Sequence, residues 1–225
     1  MNHSSKLFTS MLLMPLAAFS AMAAELGDWP QFRGPNSDGH VKNIASPLEW
    51  SDSKSVAWKI AIPGLGWSSP ALANGKVFLT TAVPNDGGLS LRALALDAKT
   101  GKIVWEREVR AIAKAPKIHS KNSHASPTPV VRDGSVFVHF GAQGMASLAA
   151  ADGAIQWTNF ELDYPPVHGS GGSPVFHDGK LVIVCDGSTK PFVAAIDAKN
   201  LVLALGPAGT GKTYLAIAKA VEALE

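Results

Sequence analysis

The sequence is poor in cysteine and has no large excess of charge of either sign. A single cysteine, Cys185, occurs among the 225 residues, which excludes an intrachain disulfide. It ends the apolar segment Lys-Leu-Val-Ile-Val-Cys, so we interpret it as a small buried residue and not as a catalytic thiol. The 20 basic and 18 acidic residues nearly balance, so composition gives no drive toward nucleic acid or an anionic membrane surface.

The longest apolar run, near the N-terminus, is too short and too rich in small residues for a membrane span. Lys6 is the only charge before this run at 7–23, which ends in Ala-Met-Ala at 21–23. These features are typical of a secretory signal peptide and its cleavage site. We therefore predict that residues 1–23 are removed and that the mature chain begins near Ala24. The protein is then exported to the periplasm or the extracellular space; a buried N-terminal helix is the alternative.

A repeated unit follows this segment. Three stretches each begin with a hydroxyl residue and a proline, and each has a glycine five positions after the proline: Pro70 and Gly75, Pro129 and Gly134, Pro174 and Gly179. Proline fits the start of a strand, where a missing N–H is tolerated. The Asn-Gly or Asp-Gly pair that follows favours a tight hairpin turn, because these residues accept positive φ. The next residues are rich in Val, Phe, Leu and Ile, which predicts a second strand.

Each unit also carries a second motif further along the chain. It is complete in the first unit as A-x-D-x-x-T-G-x-x-x-W, shortened in the second, and interrupted after Asn200 in the third. Asp can cap the turn and Gly supplies a left-handed conformation, while the Trp ring can stack on the next repeat. The residues assigned to this structural motif are Ala95, Asp97, Thr100, Gly101, Trp105, Asp152, Trp157 and Asp197.

The spacing of these motifs predicts the fold. Units of about 45 residues with four short strands are typical of β-propeller blades. We predict a mainly β protein: an incomplete propeller of about three four-stranded blades over residues 24–200. Unrelated hairpins are the alternative, and the doubled motif argues against them. Complete propellers have about four to eight blades, so we expect two open edges and poor stability or aggregation.

The complete motif from Ala95 to Trp105 resembles the tryptophan-docking motif of pyrroloquinoline-quinone (PQQ)-type propellers. The stretches 28–39, 119–131 and 167–174 are also similar to exported members of that superfamily. The resemblance covers about residues 26–200 and implies the propeller fold. Such propellers include quinoprotein dehydrogenases and non-enzymatic scaffolds such as the outer-membrane assembly lipoprotein. For this chain it implies an exported binding or scaffold module, whose protein or small-molecule ligand the sequence does not name.

Two features of the quinone enzymes are not evident in this sequence. Those enzymes often carry adjacent cysteines beneath the cofactor, whereas Cys185 stands alone, and no Glu/Asn/Asp set for calcium stands out. We therefore do not expect PQQ binding, and we assign no catalytic residue and no metal ligand; a quinoprotein dehydrogenase is a lower alternative. His119, His124 and His168 fall in loops before the inner strands and could line a funnel.

A motif of a different class ends the chain. The sequence GPAGTGKT at 206–213 matches the phosphate loop of nucleoside triphosphatases, between a strand-like and a helix-like segment. Its backbone N–H groups would surround phosphate oxygens, Lys212 would contact the β- and γ-phosphates, and Thr213 would bind Mg²⁺. The candidate residues for binding ATP and magnesium are Gly206, Gly209, Thr210, Gly211, Lys212 and Thr213.

Residues 201–225 resemble the phosphate loop of PhoH-like ATPases, which are cytoplasmic. No acidic metal-binding strand follows the loop and no parallel-sheet half precedes it, so we expect weak anion binding at most and no hydrolysis. The loop begins inside the third repeat with no linker, unlike a natural domain boundary. We interpret the chain as a truncated exported propeller joined to an ATPase fragment, by a gene-model or assembly error or a recent rearrangement. The alternative is a cytoplasmic ATP-binding protein.

Overall fold

The computed structural model describes residues 27–41, 47–52, 54–162, 164–189, 191–199 and 203–207. Within these ranges the chain forms three four-stranded antiparallel sheets and no α-helix. The predicted signal peptide, the loop residues Gly209 to Thr213 and the predicted helix after them lie outside the described residues.

The strands of each sheet follow one another along the chain. The first blade contains β1 (Ala71–Ala73), β2 (Lys76–Asn85), β3 (Gly88–Asp97) and β4 (Ile103–Ile112). The second contains β5 (Val130–Arg132), β6 (Ser135–His139), β7 (Met145–Ala149) and β8 (Ile155–Asn159). The third contains β9 (Val175–His177), β10 (Lys180–Cys185), β11 (Phe192–Asp197) and β12 (Leu203–Pro207). Three antiparallel meanders of four strands confirm the predicted mainly β, propeller-type fold.

The first hairpin of each blade turns on the predicted pair of residues. Both central residues have positive φ in every case, for example 51° at Asn74 and 70° at Gly75. Asp133 and Gly134 show the same pattern in the second blade, with 49° and 78°. A type I′ turn requires this backbone conformation, and its twist matches that of the two strands. Local turn chemistry therefore sets the register of the inner strands.

The apolar core lies between consecutive blades. Successive residues of β6 pack on opposite sides of the strand, because neighbouring side chains of a strand point to opposite faces. Val136 and Val138 belong to the cluster shared with the first blade, whereas Phe137 belongs to the cluster shared with the third. Cys185 is fully buried in the second cluster. Burial raises the pKa of its thiol to about 12, so the thiol stays protonated and unreactive.

The two outer faces of the blade stack differ. On the first blade, Trp58 and Ile62 pack against the buried residues Val77, Leu94 and Leu96. Part of that face is therefore covered, and the expectation of two open edges stays a prediction. The sequence did not reveal the cover, because the segment around Trp58 lies before the first recognisable repeat. No helix in the described part of the chain is long and apolar enough to cross a membrane.

Candidate functional site

The repeated motif builds a rigid turn in the first blade. The Asp97 carboxylate accepts hydrogen bonds from the backbone N–H of Lys99 (3.1 Å) and from the N–H and hydroxyl of Thr100 (both 2.8 Å). The Thr100 hydroxyl and N–H are the main reason why the pKa of Asp97 lies below its usual value. Gly101 follows with φ of 71°, the left-handed region that glycine adopts without strain.

An indole from the preceding element docks on the corresponding turn of each blade. Trp58 Nε1 donates to the Ala98 carbonyl (2.9 Å) and Trp105 Nε1 to the Ala150 carbonyl (3.3 Å). Trp157 Nε1 donates in the same way to the carbonyl of Ala198 in the third blade (2.9 Å). The three tryptophans therefore connect consecutive elements by one recurring contact.

The third blade ends differently from the first two. Trp105 lies opposite Ala95 and Trp157 opposite Ser147, each next to a register shift in the outer strand pair. In the third blade Ala204 lies opposite Ala195, and the β11–β12 pairing runs without a shift. The outer strand of this blade therefore has no indole at the position where the first two blades place theirs.

The predicted phosphate loop begins inside this outer strand. Gly206 pairs with Val193 in the antiparallel ladder between β11 and β12. The strand that leads into the motif is thus the fourth strand of a blade, and no parallel strand pairs with it among the described residues. The other candidate nucleotide-binding residues, Gly209 to Thr213, lie outside the described ranges.

The hydroxyl residues before the three prolines link consecutive blades just before their first strands. The Ser69 N–H donates to Thr128 Oγ1 (3.2 Å), and the Thr128 N–H donates to Ser173 Oγ (3.0 Å). The sequence pattern includes these hydroxyl residues but does not predict the contacts between them, because the contacts join residues that are far apart in the chain. The three residues border a central cavity of about 630 Å³, whose rim also includes Arg33 and Trp67.

An N-terminal strap, defined as residues 27–40, crosses the inner strands. Trp29 exchanges two backbone hydrogen bonds with Leu72 of β1, both 2.8 Å long, and the Pro30 carbonyl accepts from Val131 of β5 (2.7 Å). The strap therefore joins the first two blades at their inner strands. Its sequence at 28–39 was recognised only by resemblance, and no local pattern predicted where it packs.

The three loop histidines do not form one funnel. His119 and His168 are exposed neighbours, with ring centres 5.3 Å apart in an edge-to-face contact. His124 lines a separate cavity of about 380 Å³. None of the three is among the described residues that line the central cavity.

A fourth histidine, which sequence analysis did not single out, is fully enclosed. His139 in β6 is 1% exposed, and neither ring nitrogen has a hydrogen-bond partner of normal geometry within the described residues. Burial lowers its pKa to about 4, although the nearby Gly172 backbone acts in the opposite direction. The only sequence signal was its position in an apolar strand, which gives no information on its partners.

Two families match this chain, over ranges that differ but overlap at residues 186–201. Residues 52–201 match the family of the outer membrane protein assembly factor BamB. Residues 186–225 match the family of PhoH-like proteins. The stretch 186–201 lies in both matches, so the likeness to PhoH-like proteins begins earlier than residue 201. It includes β11 and the turn that leads toward β12.

The relatives are all much longer than the matched parts of this chain. A PhoH-like protein of Mycobacterium tuberculosis is 67% identical over 47 residues, 21% of this chain and 13% of that protein. The dehydrogenase subunit of a quinone alcohol dehydrogenase of Gluconobacter oxydans is 35% identical over 128 residues, 52% of this chain and 16% of that protein.

A solved structure supports the fold at low sequence identity. The quinohemoprotein alcohol dehydrogenase of Comamonas testosteroni superposes with a TM-score of 0.57 and 16% identity. The match covers 82% of this chain and 27% of that structure. At this identity the likeness concerns the propeller fold alone.

Proposed function

Because the chain belongs to the family of the outer membrane protein assembly factor BamB, we propose that it is an exported, non-catalytic binding or scaffold module. The observation that carries this proposal is an exposed apolar face on the third blade, as seen among the described residues. Leu181, Ile183 and Cys185 pack on the second blade. The residues between them in β10, Val182 and Val184, therefore lie on the opposite side of the strand. There Val184 is 46% exposed, and Val175 of the neighbouring β9 is 51% exposed.

This exposed apolar face is a candidate surface for binding another protein. In the first two blades the corresponding surface is covered by the next blade, with an apolar cluster between them. An exposed apolar sheet face favours a partner that presents a matching apolar surface. A protein that packs against the third blade would continue the blade stack and bury these valines.

Cell fractionation of the full chain with a C-terminal epitope tag tests export. We expect the protein in the exported fraction, with a mature N-terminus near Ala24. The purified protein, supplied with PQQ and Ca²⁺, should not reduce an electron-accepting dye when alcohols are added. A cytoplasmic protein that keeps residues 1–23 would contradict export, and PQQ-dependent dye reduction would instead support the quinoprotein dehydrogenase alternative that the Gluconobacter relative suggests.

A second candidate function is nucleotide binding by the C-terminal segment. The match to PhoH-like proteins over residues 186–225 favours it. In this alternative Gly206, Gly209, Thr210, Gly211, Lys212 and Thr213 hold ATP with magnesium, and the protein acts in the cytoplasm. Because β12 belongs to a propeller blade, we propose that the segment binds phosphate weakly and does not hydrolyse ATP.

Equilibrium binding of ATP with magnesium tests this candidate. If the loop binds nucleotide, Lys212→Ala should abolish the binding, because the loop lysine contacts the β- and γ-phosphates. Lys199→Ala, a nearby lysine outside the motif, is the matched control. Tight binding with steady hydrolysis, both lost only in Lys212→Ala, would show that the segment is a working ATPase and would contradict the propeller-only function.

A further inference from the structure

A second cavity, which we name the loop pocket, lies among the connections before and after the second blade and the β6–β7 loop within it. It encloses about 380 Å³, within the range of sites that hold small molecules. Its walls include Lys117, His124, Phe140, Gln143, Tyr164 and Ser170. It shares no lining residue with the central cavity, so any ligand here is separate from one in that cavity.

The Tyr164 hydroxyl is a buried donor with one weak partner among the described residues. Tyr164 is 2% exposed, and within this part of the chain its hydroxyl makes one long contact, 3.4 Å, to Ser170 Oγ. Burial raises the pKa of Tyr164 well above its usual value, so the phenol keeps its proton and can donate a hydrogen bond to a ligand. A buried hydroxyl normally makes at least one good hydrogen bond, which makes a ligand oxygen a suitable partner.

The other polar groups of the loop pocket also have unused bonding capacity. No hydrogen bond or ion pair of the Lys117 or His124 side chain occurs within the described part of the chain. Lys117 is exposed and His124 is half-buried. Burial lowers the pKa of His124, so at neutral pH its imidazole is a neutral donor and acceptor. Lys117 is thus the one cationic group among the described residues that line the pocket.

The walls of the loop pocket determine the class of ligand. Among the described residues that line it, none is Asp or Glu, whereas Ile118, Phe140 and Pro165 give it apolar surface. We propose that the loop pocket binds a small organic carboxylate with an apolar body. The carboxylate pairs with Lys117 and accepts from the Tyr164 hydroxyl, and the apolar body contacts Ile118 and Phe140. Hydrogen bonds to a charged group are stronger than neutral ones.

The loop pocket is separate from the proposed protein-binding face, since the exposed valines of the third blade line no part of it. Isothermal titration calorimetry of the full chain with benzoate and with hexanoate tests the proposed carboxylate binding. We expect saturable binding of one equivalent of at least one of these acids. The corresponding neutral amide should bind roughly tenfold more weakly, because it lacks the charge that Lys117 pairs with.

Substitutions inside and outside the loop pocket test whether the carboxylate binds there. Lys117→Gln and Tyr164→Phe should each weaken carboxylate binding roughly tenfold, whereas Lys114→Gln, an exposed lysine outside the pocket, should leave it unchanged. Thermal melts establish that each variant is folded; if Tyr164→Phe does not fold, the comparison of Lys117→Gln with Lys114→Gln decides the result. No saturable binding of either acid, equal affinity for acid and amide, or equal affinity of Lys117→Gln and the unaltered chain would each overturn the proposal.

Discussion

At the scale of single residues, glycines decide how closely an indole can approach the blade beside it. A Cβ at Gly153 would lie 2.7 Å from the Trp105 ring, and one at Gly101 would lie 2.5 Å from the Trp58 ring. Both residues also have positive φ. Two requirements therefore coincide at these turns: a left-handed backbone and the absence of a side chain.

A pair of glycine substitutions separates these two requirements. Gly153 and Gly134 have similar φ, 73° and 78°, but a Cβ at Gly134 would meet nothing within 4 Å. Gly134→Ala should cost about 1 kcal/mol of unfolding free energy, from backbone strain alone. Gly153→Ala should cost about 2 kcal/mol more, because the Trp105 ring must move. Urea unfolding measures both; equal losses would contradict the docking role of Gly153.

His139 should make stability depend on pH. Its pKa is about 4 in the folded protein, against about 6.5 in an unfolded chain. The unfolded state therefore binds the proton more readily. Stability is unaffected by this group above pH 6.5 and falls as the pH drops toward 4, by up to about 3 kcal/mol.

Unfolding curves of the unaltered chain and of His139→Leu between pH 7 and pH 4 measure this effect. Leucine has no proton to bind, so the variant should lose less stability over that range. Parallel pH profiles for the two proteins would show that His139 is not responsible.

At the scale of elements, the cover of the first blade depends on one indole. Trp58 bonds to Ala98 and packs over Gly101, whereas Trp50 is 81% exposed. Trp58→Ala should cost about 3 kcal/mol, and Trp50→Ala should change stability by no more than about 0.5 kcal/mol. Chemical denaturation compares the two; similar small effects would mean that the segment around Trp58 does not cover the blade.

The elements that the sequence predicted are those with local causes. The Asn-Gly and Asp-Gly turns, the strands after them and the four-strand meander follow from short-range turn chemistry and alternation. The cover by Trp58, the hydroxyl contacts between Ser69, Thr128 and Ser173, and the loop pocket depend on residues brought together from distant parts of the chain. A single sequence holds no local signal for such contacts. The strand-like segment before Gly206 is predicted locally, but its pairing with β11 as the fourth strand of a blade is not.

At the scale of the whole molecule, the exposed apolar face of the third blade is the expected site of association. Among the described residues, Trp58 and Ile62 pack on the first blade, whereas Val175 and Val184 of the third blade are about half exposed, so association should proceed through these valines. Val184→Lys should reduce concentration-dependent association, because a charge is costly to bury. Val167→Lys, at a position 64% exposed outside the sheets, is the control. Sedimentation velocity that shows the same association for both variants would contradict this assignment.

The strand that leads into the predicted phosphate loop completes the third blade by pairing with β11. A disulfide across β11 and β12 tests it most directly, in a Cys185→Ala background that leaves no other thiol. Ala195→Cys with Ala204→Cys joins directly opposite positions, whose Cβ atoms lie about 5 Å apart in an antiparallel pair. This pair should oxidise readily, and Ala195→Cys with Gly206→Cys, offset by two residues, should not. Failure of the first pair to form, or equal formation of both, would contradict the assignment of β12 to the third blade.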